Sequence, residues 1–135
     1  MATTGGCLCG AVRYSCEGDP VLSGICHCRH CQKYTGSSFE PIMFYPCDQV
    51  TVTGKVATYT GRGDSGKPVF RNFCPVCGSG VFAQAELLAG LTIVLAGTLD
   101  DPTHFKPTME CYCDRVQPWI RTADERARHP RMPPV

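Results

Sequence analysis

Seven of the eleven cysteines stand in three tight groups: Cys7 and Cys9 in "GGCLCG", Cys26, Cys28 and Cys31 in "CHCRHC", and Cys74 and Cys77 in "FCPVCG". Such spacing constrains a fold more than any hydrophobic pattern, because sulfurs two or three residues apart converge only where the backbone turns around a common point. A disulfide framework is the first alternative. The chain opens "MATTGGCLCG", without the basic stretch and apolar run of an export signal, and the expected compartment is the cytoplasm. Disulfides are uncommon there, so clustered cysteines read as metal ligands or as thiol chemistry. The odd total also leaves one thiol over from any full pairing.

Cys74-x-x-Cys77-Gly78 is the turn in which two thiolates grip one ion, with backbone N–H groups directed at the sulfurs and glycine supplying the open dihedral. It is half of a zinc site. Four thiolates bonded at about 2.3 Å lie about 3.8 Å apart, so the other half must be a second close pair. Cys7 and Cys9 suit that role if the segment is extended, since positions i and i+2 then share a face and Gly5, Gly6 and Gly10 let the chain curl inward. Four thiolates close the shell, which makes this zinc structural. The alternatives are a redox dithiol at Cys74 and Cys77, which needs a helix where "GSGVFA" reads as turn then strand, and two buried small hydrophobes at Cys7 and Cys9.

Cys26, Cys28 and Cys31 offer three ligands on a hooked backbone. His27 lies between two cysteines of one face and should point away, while no spacing demands His30 as a ligand. Three protein ligands and one exchangeable position describe a catalytic zinc. The spacing also allows closure by His30 or another histidine, or by Cys16, Cys47, Cys111 or Cys113. Three thiolates weaken the ion as a Lewis acid and suit a soft incoming ligand, and a thiol bound there would be held as thiolate.

Glycines (14) and prolines (11) punctuate brief apolar or alternating runs such as "AVRYSC", "FEPIMFYP", "VTVTG", "KPVFRNF", "GVFAQA" and "LTIVLAG". The expectation is a mainly β fold with at most one or two short helices, one in "CRHCQKYT" stopped by Gly36 and a turn in "AELLAG". Length fits a single domain, residues 1–135, with the last ~15 residues peripheral. The arginine-bearing tail "RTADERARHPR" reads as a solvated helix or frayed end, and "GRGDSGK" as a hairpin turn. A net charge of +1 without a basic aromatic stripe speaks against nucleic acid. The apolar run 87–99 is too short and glycine-broken for a membrane span.

"GGCLCGAVRYSC", "CHCRHCQKYTGSSF", "FRNFCPVCGSGVF", "AGTLDDP" and a late "PW" occur in the order and spacing of a known family. From Gly5 to about Trp119 the chain resembles the glutathione-dependent formaldehyde-activating enzymes, which include centromere protein V-like proteins. The resemblance implies a zinc-containing β-tent fold of short antiparallel strands. It implies two Zn2+ per chain, a structural zinc on Cys7, Cys9, Cys74 and Cys77 and a catalytic zinc on Cys26, Cys28 and Cys31. The implied activity is that of a carbon–sulfur lyase similar to S-(hydroxymethyl)glutathione synthase, with a glutathione-like thiol and a small aldehyde such as formaldehyde as partners. Arg29, Lys33 and Arg71 are the cations considered for the ends of glutathione. Where relatives often carry a histidine before the "PW", this chain has "TMECYC", with Glu110, Cys111 and Cys113. The competing expectation is a non-catalytic, zinc-stabilised interaction module with both shells closed. The sequence does not fix an oligomeric state, a homodimer being one expectation.

Overall fold

A computed structural model describes residues 2–122 and 125–134. In chain order the strands are β1 (Ala2–Gly6), β2 (Arg13–Glu17), β3 (Leu22–Cys26), β4 (Glu40–Pro46), β5 (Val50–Thr53), β6 (Ala57–Arg62), β7 (Pro68–Phe73), β8 (Gly80–Ala85), β9 (Leu91–Leu95), β10 (Met109–Cys111) and β11 (Ala127–Arg128). One α-helix is present among the described residues, α1 (Arg29–Thr35), and the rest of the helical content is single 3-10 turns, including Glu86–Leu88 within "AELLAG". The fold is mainly β.

The strands build a small sheet ordered β1-β2-β5 and a larger one ordered β11-β10-β3-β4-β9-β8-β7-β6. Pairing is antiparallel except around β10, which runs parallel to both β3 and β11. Parallel neighbours need a long crossover, and β10 meets that condition because it returns to the edge of β3 only after the whole middle of the chain has been laid down.

β4 explains why there are two cores. Its run "EPIMFYP" is nearly continuous in apolar residues because both faces are covered. Met43 and Tyr45 join Val12, Tyr14 and Cys16 of the small-sheet layer together with Val81 and Val94. Ile42 and Phe44 face the other way, toward Cys26, Cys28, Cys31, Met109 and Cys111. Burial of Ile42, Met43 and Phe44 stabilises the fold by about 2 kcal/mol each. Cys7 and Cys74 belong to the first core and the "CHCRHC" cysteines to the second, so each thiol group is anchored in its own hydrophobic cluster.

Three local expectations change. Cys7 and Cys9 do not lie in an extended segment: β1 ends at Gly6 and the chain turns, with Gly10 N–H bonded to Cys7 O at 3.1 Å. Cys47, one of the thiols the spacing allowed to close the three-cysteine group, is exposed and apart from it, because it lies in the 3-10 turn Cys47–Gln49 beyond β4. The tail is tied in rather than helical or frayed. β11 pairs with β10, His129 N–H bonds Glu110 O at 2.8 Å, and Met132 packs against the second core. Ala123 and Asp124 of that tail lie outside the described residues.

Candidate metal centres and the adjoining cavity

The sulfurs of Cys7, Cys9, Cys74 and Cys77 all lie within 4.8 Å of one another. Cys7 Sγ and Cys9 Sγ are 3.7 Å apart, and Cys9 Sγ and Cys74 Sγ 3.8 Å. Those lengths match the edge of about 3.8 Å expected for tetrahedral zinc–thiolate coordination, so the residues present fit the ion. The "CPVCG" turn is closed by Gly78 N–H to Cys74 O at 2.8 Å, with Gly78 at φ 78°, a conformation glycine adopts without strain. Backbone N–H groups reach the sulfurs, Val76 to Cys74 at 3.4 Å and Val12 to Cys7 at 3.2 Å. Ser79 joins the two halves, since its hydroxyl accepts from Leu8 N–H at 3.1 Å and lies 3.2 Å from Cys77 Sγ.

These neighbours divide the protons unequally. The Val12 N–H lowers the Cys7 thiol, and the hydroxyl and N–H of Ser79 bring Cys77 down to about 5. Cys9 is pushed up to about 11: the Ala11 N–H works to lower it, and desolvation and the sulfurs of Cys7, Cys77 and Cys74 outweigh that. A bound dication is what allows all four to be thiolates together.

The second group is shaped by a strand-to-helix hook. Cys26 ends β3, and Cys28 is extended (φ −62°, ψ 152°) and caps α1, its sulfur accepting from Cys31 N–H at 3.3 Å. Cys31 then falls in the first turn of the helix, which Gly36 ends in the left-handed conformation at φ 68°. All three cysteines are buried and their sulfurs lie within 4.8 Å of one another. Among the described residues no other His, Cys, Asp or Glu completes the group. The sulfurs of Cys26 and Cys28, with burial, push the Cys31 thiol far up, and Cys26 raises Cys28 in the same way. Crowded and buried, the thiols of Cys28 and Cys31 resist ionising by themselves, and the three-sulfur donor set suits a soft cation.

Beside this group lies a cavity of about 120 Å³. Its walls include Ile42 and Phe44 of β4, Ala83 of β8, and Ile93 and Leu95 of β9.

The model for the family described as glutathione-dependent formaldehyde-activating enzyme matches residues 2–115. The chain belongs to that family. Among solved structures it is similar to a Rhodobacter sphaeroides protein determined by structural genomics, at 18% identity and a TM-score of 0.56, covering 72% of this chain and 87% of that one. At that identity the likeness concerns the fold. No curated protein matches the chain.

Family resemblance did not point to Glu40. It opens β4 opposite Cys26 in the strand register, and its Oε2 accepts from Cys31 Sγ at 3.0 Å. Burial pushes its carboxyl above the ordinary carboxylate range. The signal was period-two alternation, which sets Glu40 on the face of Ile42 and Phe44. Tyr34, from α1, lines the same cavity, and its hydroxyl is buried with no hydrogen-bond partner among the described residues. Arg71 stands 5.5 Å from the centre of the Tyr34 ring. The hairpin "GRGDSGK" joins β6 to β7 as expected, and its Asp64, Ser65 and Lys67 also line the cavity, a reach the turn reading did not include.

The other expected residues are dispersed. His27 does point away from the thiols: its Nε2 lies 2.8 Å from Glu110 Oε1, and both side chains are buried. Glu110 Oε2 accepts from Arg126 Nε at 3.1 Å. Burial opposes ionisation of Glu110, yet hydrogen bonds from His27, Arg126 and Thr122 hold it below its usual value. Glu110 is thus a carboxylate paired with its neighbours, and Cys113 lies beside the His27–Glu110 pair. His30 lines the cavity without joining the three cysteines, and Cys111 is buried against them. Cys16 is a lone core thiol that burial pushes up to about 11. Of the cations considered for glutathione, Arg71 lines the cavity, whereas Arg29 and Lys33 line a separate depression with Trp119.

Proposed function

We propose that the chain is a zinc-dependent carbon–sulfur lyase that adds a glutathione-like thiol to a small aldehyde such as formaldehyde, or releases it. One observation carries this reading: Cys26, Cys28 and Cys31 border a cavity and, among the described residues, lack a fourth protein ligand. In this reading residues 1–135 act as one cytoplasmic domain with two Zn2+, a structural ion on Cys7, Cys9, Cys74 and Cys77 and a catalytic one on Cys26, Cys28 and Cys31. No helix among the described residues is long and apolar enough to cross a membrane.

Zinc held by three cysteines supplies a position at which an incoming thiol is bound as thiolate. The surrounding side chains account for the rest. With Cys31 a thiolate, an ionised carboxylate 3.0 Å from its sulfur would be repelled, so the proton resides on Glu40 Oε2. As the substrate sulfur bonds to the aldehyde carbon, the carbonyl π pair moves onto oxygen. The Tyr34 hydroxyl, which has no hydrogen-bond partner among the described residues, donates a hydrogen bond to that oxygen. Glu40 delivers the proton that completes the hydroxymethyl product and is reloaded by the proton that the next thiol gives up on binding as thiolate; in the reverse direction Glu40 takes the hydroxyl proton and returns it to the departing thiol. Arg71, over the Tyr34 ring, favours the negative charge that passes through the site.

The test is magnetisation transfer between formaldehyde, glutathione and S-(hydroxymethyl)glutathione at equilibrium. The parent protein should raise the exchange rate above the spontaneous one, and Cys28→Ser, verified as folded by circular dichroism, should not. If the parent leaves the rate unchanged, the interaction-module reading replaces this one.

A further inference from the structure

We propose that Cys111 and Cys26 form an oxidisable pair, and that a disulfide made between them by a peroxide withdraws Cys26 from the zinc and empties the site; the inference rests on the zinc reading of Cys26, Cys28 and Cys31 above. Cys111 belongs to none of the groups that could hold an ion among the described residues. It is nevertheless 1% exposed, packs in the core of the three cysteines and lines the same cavity. β10 runs parallel to β3 with Cys111 opposite Cys26 in the register. Neighbouring strands lie about 4.8 Å apart, inside the range of about 4.4 to 6.8 Å that the α-carbons of a disulfide span. Closing the bond therefore asks for side-chain rotation and little backbone movement.

Two local features set this juxtaposition. His27 N–H bonds Cys111 O at 3.0 Å, and on the opposite face of the same strands His27 Nε2 lies 2.8 Å from Glu110 Oε1, which fixes β10 against β3. In an extended chain Cys111 and Cys113 would share a face. Tyr112 prevents it, being the one described residue other than glycine with a positive φ, 54°. The turn sends Cys113 to the His27–Glu110 pair and leaves Cys111 on the cavity. Exposed His30 and Lys67 on the lining mark where that cavity meets solvent, so a molecule as small as hydrogen peroxide can enter. The Cys26 sulfur attacks one peroxide oxygen, the O–O bond breaks, and water leaves behind a sulfenic acid. Cys111 sulfur then attacks the Cys26 sulfur, the S–O bond breaks, and a second water departs as the S–S bond forms. The two sulfurs lose two electrons, the peroxide gains them, and each water takes one proton, from the thiol or, where Cys26 is a thiolate, from solvent. Cys28 and Cys31 remain as two ligands, too few for a stable zinc site.

The test is addition of hydrogen peroxide to the zinc-reconstituted protein, with metal release followed by a metallochromic indicator and cysteine linkage by peptide mass spectrometry. The expected result is a fast release of about one zinc equivalent per chain, a Cys26–Cys111 crosslink that appears at the same rate, and reversal of both by dithiothreitol and added zinc. Cys111→Ser, or Cys111→Ala should serine disturb the core, should load zinc as the parent does and lose the fast phase. Cys113→Ser should behave as the parent. A fast phase that persists in the Cys111 variants, a linkage that joins other cysteines in the parent, or a Cys26–Cys111 crosslink formed while the zinc stays bound overturns the switch and leaves the zinc reading standing. Uptake of only about one zinc equivalent before any peroxide is added overturns the zinc reading itself, and the switch with it.

Discussion

Cys28 caps α1 with its sulfur and stands in the three-cysteine group, whereas Cys74 closes the "CPVCG" turn and is fully buried in the first core. The two should respond differently to the same change. Serine is a preferred N-cap, so Cys28→Ser retains the helix start and removes one of the three thiols proposed to hold the catalytic zinc. The expected outcome is loss of about one zinc equivalent with a melting temperature within a few degrees of the parent. Cys74→Ser should unfold the protein or lower its melting temperature severely, because metal binding at a closed site is folding free energy. Equal effects in thermal unfolding would contradict the division into structural and catalytic sites. A second contrast concerns Glu110: Glu110→Ala leaves His27 and Arg126 without their carboxylate and should cost about 3 kcal/mol in urea unfolding. The seven cysteines were legible because local spacing forces their convergence. The His27–Glu110 pair was not, since the partners are 83 positions apart and no local pattern links them. Glu40 was half legible: alternation places it on an apolar face, but its contact with Cys31 depends on how β3 pairs with β4.

Among the elements, β2, β4, β5, β7, β8 and β9 coincide with runs whose composition announces a strand. β1 ("ATTGG") has no such signal, because glycine and small residues fit a strand only when a neighbour supplies the ladder, and β6 ("ATYTGR") carries the strand formers Thr58, Tyr59 and Thr60 without an apolar alternation to mark it. β10 has three residues, too few for a period to show, and exists through its parallel pairing with β3 and β11. The turn at Cys7 and Cys9 was misread as extended for a similar reason, since glycines allow either conformation. The small sheet is fastened to the "GTLDD" segment at Asp100, which accepts from Arg13 of β2 at 2.9 Å and from Thr4 of β1 at 2.7 Å. Those bonds, Arg13 first, hold the Asp100 carboxyl down to about 2. A depressed value means stability that is fully present above the unfolded-state value of about 3.9 and lost as pH falls toward about 2. The stability difference between the parent and Asp100→Asn should therefore be constant from pH 7 to pH 5 and shrink below about pH 4. A difference that changes between pH 7 and pH 5, measured by denaturant midpoints, would show that another group governs this fastening.

The whole molecule is organised by β4, which sets the closed four-thiol group in one core and the three-thiol group in another, beside a cavity. Sequence reached the family, the mainly β class and the partition of cysteines. It did not reach the cavity, which is made by Ala83, Ala85, the 63–67 hairpin and Met132 of the tail, segments that meet only in three dimensions. Metal analysis after zinc reconstitution should find about two ions per chain, and one or fewer would remove the second site. The most direct test of the central claim, that Cys26, Cys28 and Cys31 accept an outside thiol, is the absorption of the cobalt-substituted protein titrated with glutathione and with S-methylglutathione. Glutathione should shift the sulfur-to-cobalt bands of one site while those of the closed site stay constant, and the thioether should leave the spectrum unchanged. Spectra that respond to neither ligand, or equally to both, would contradict the account.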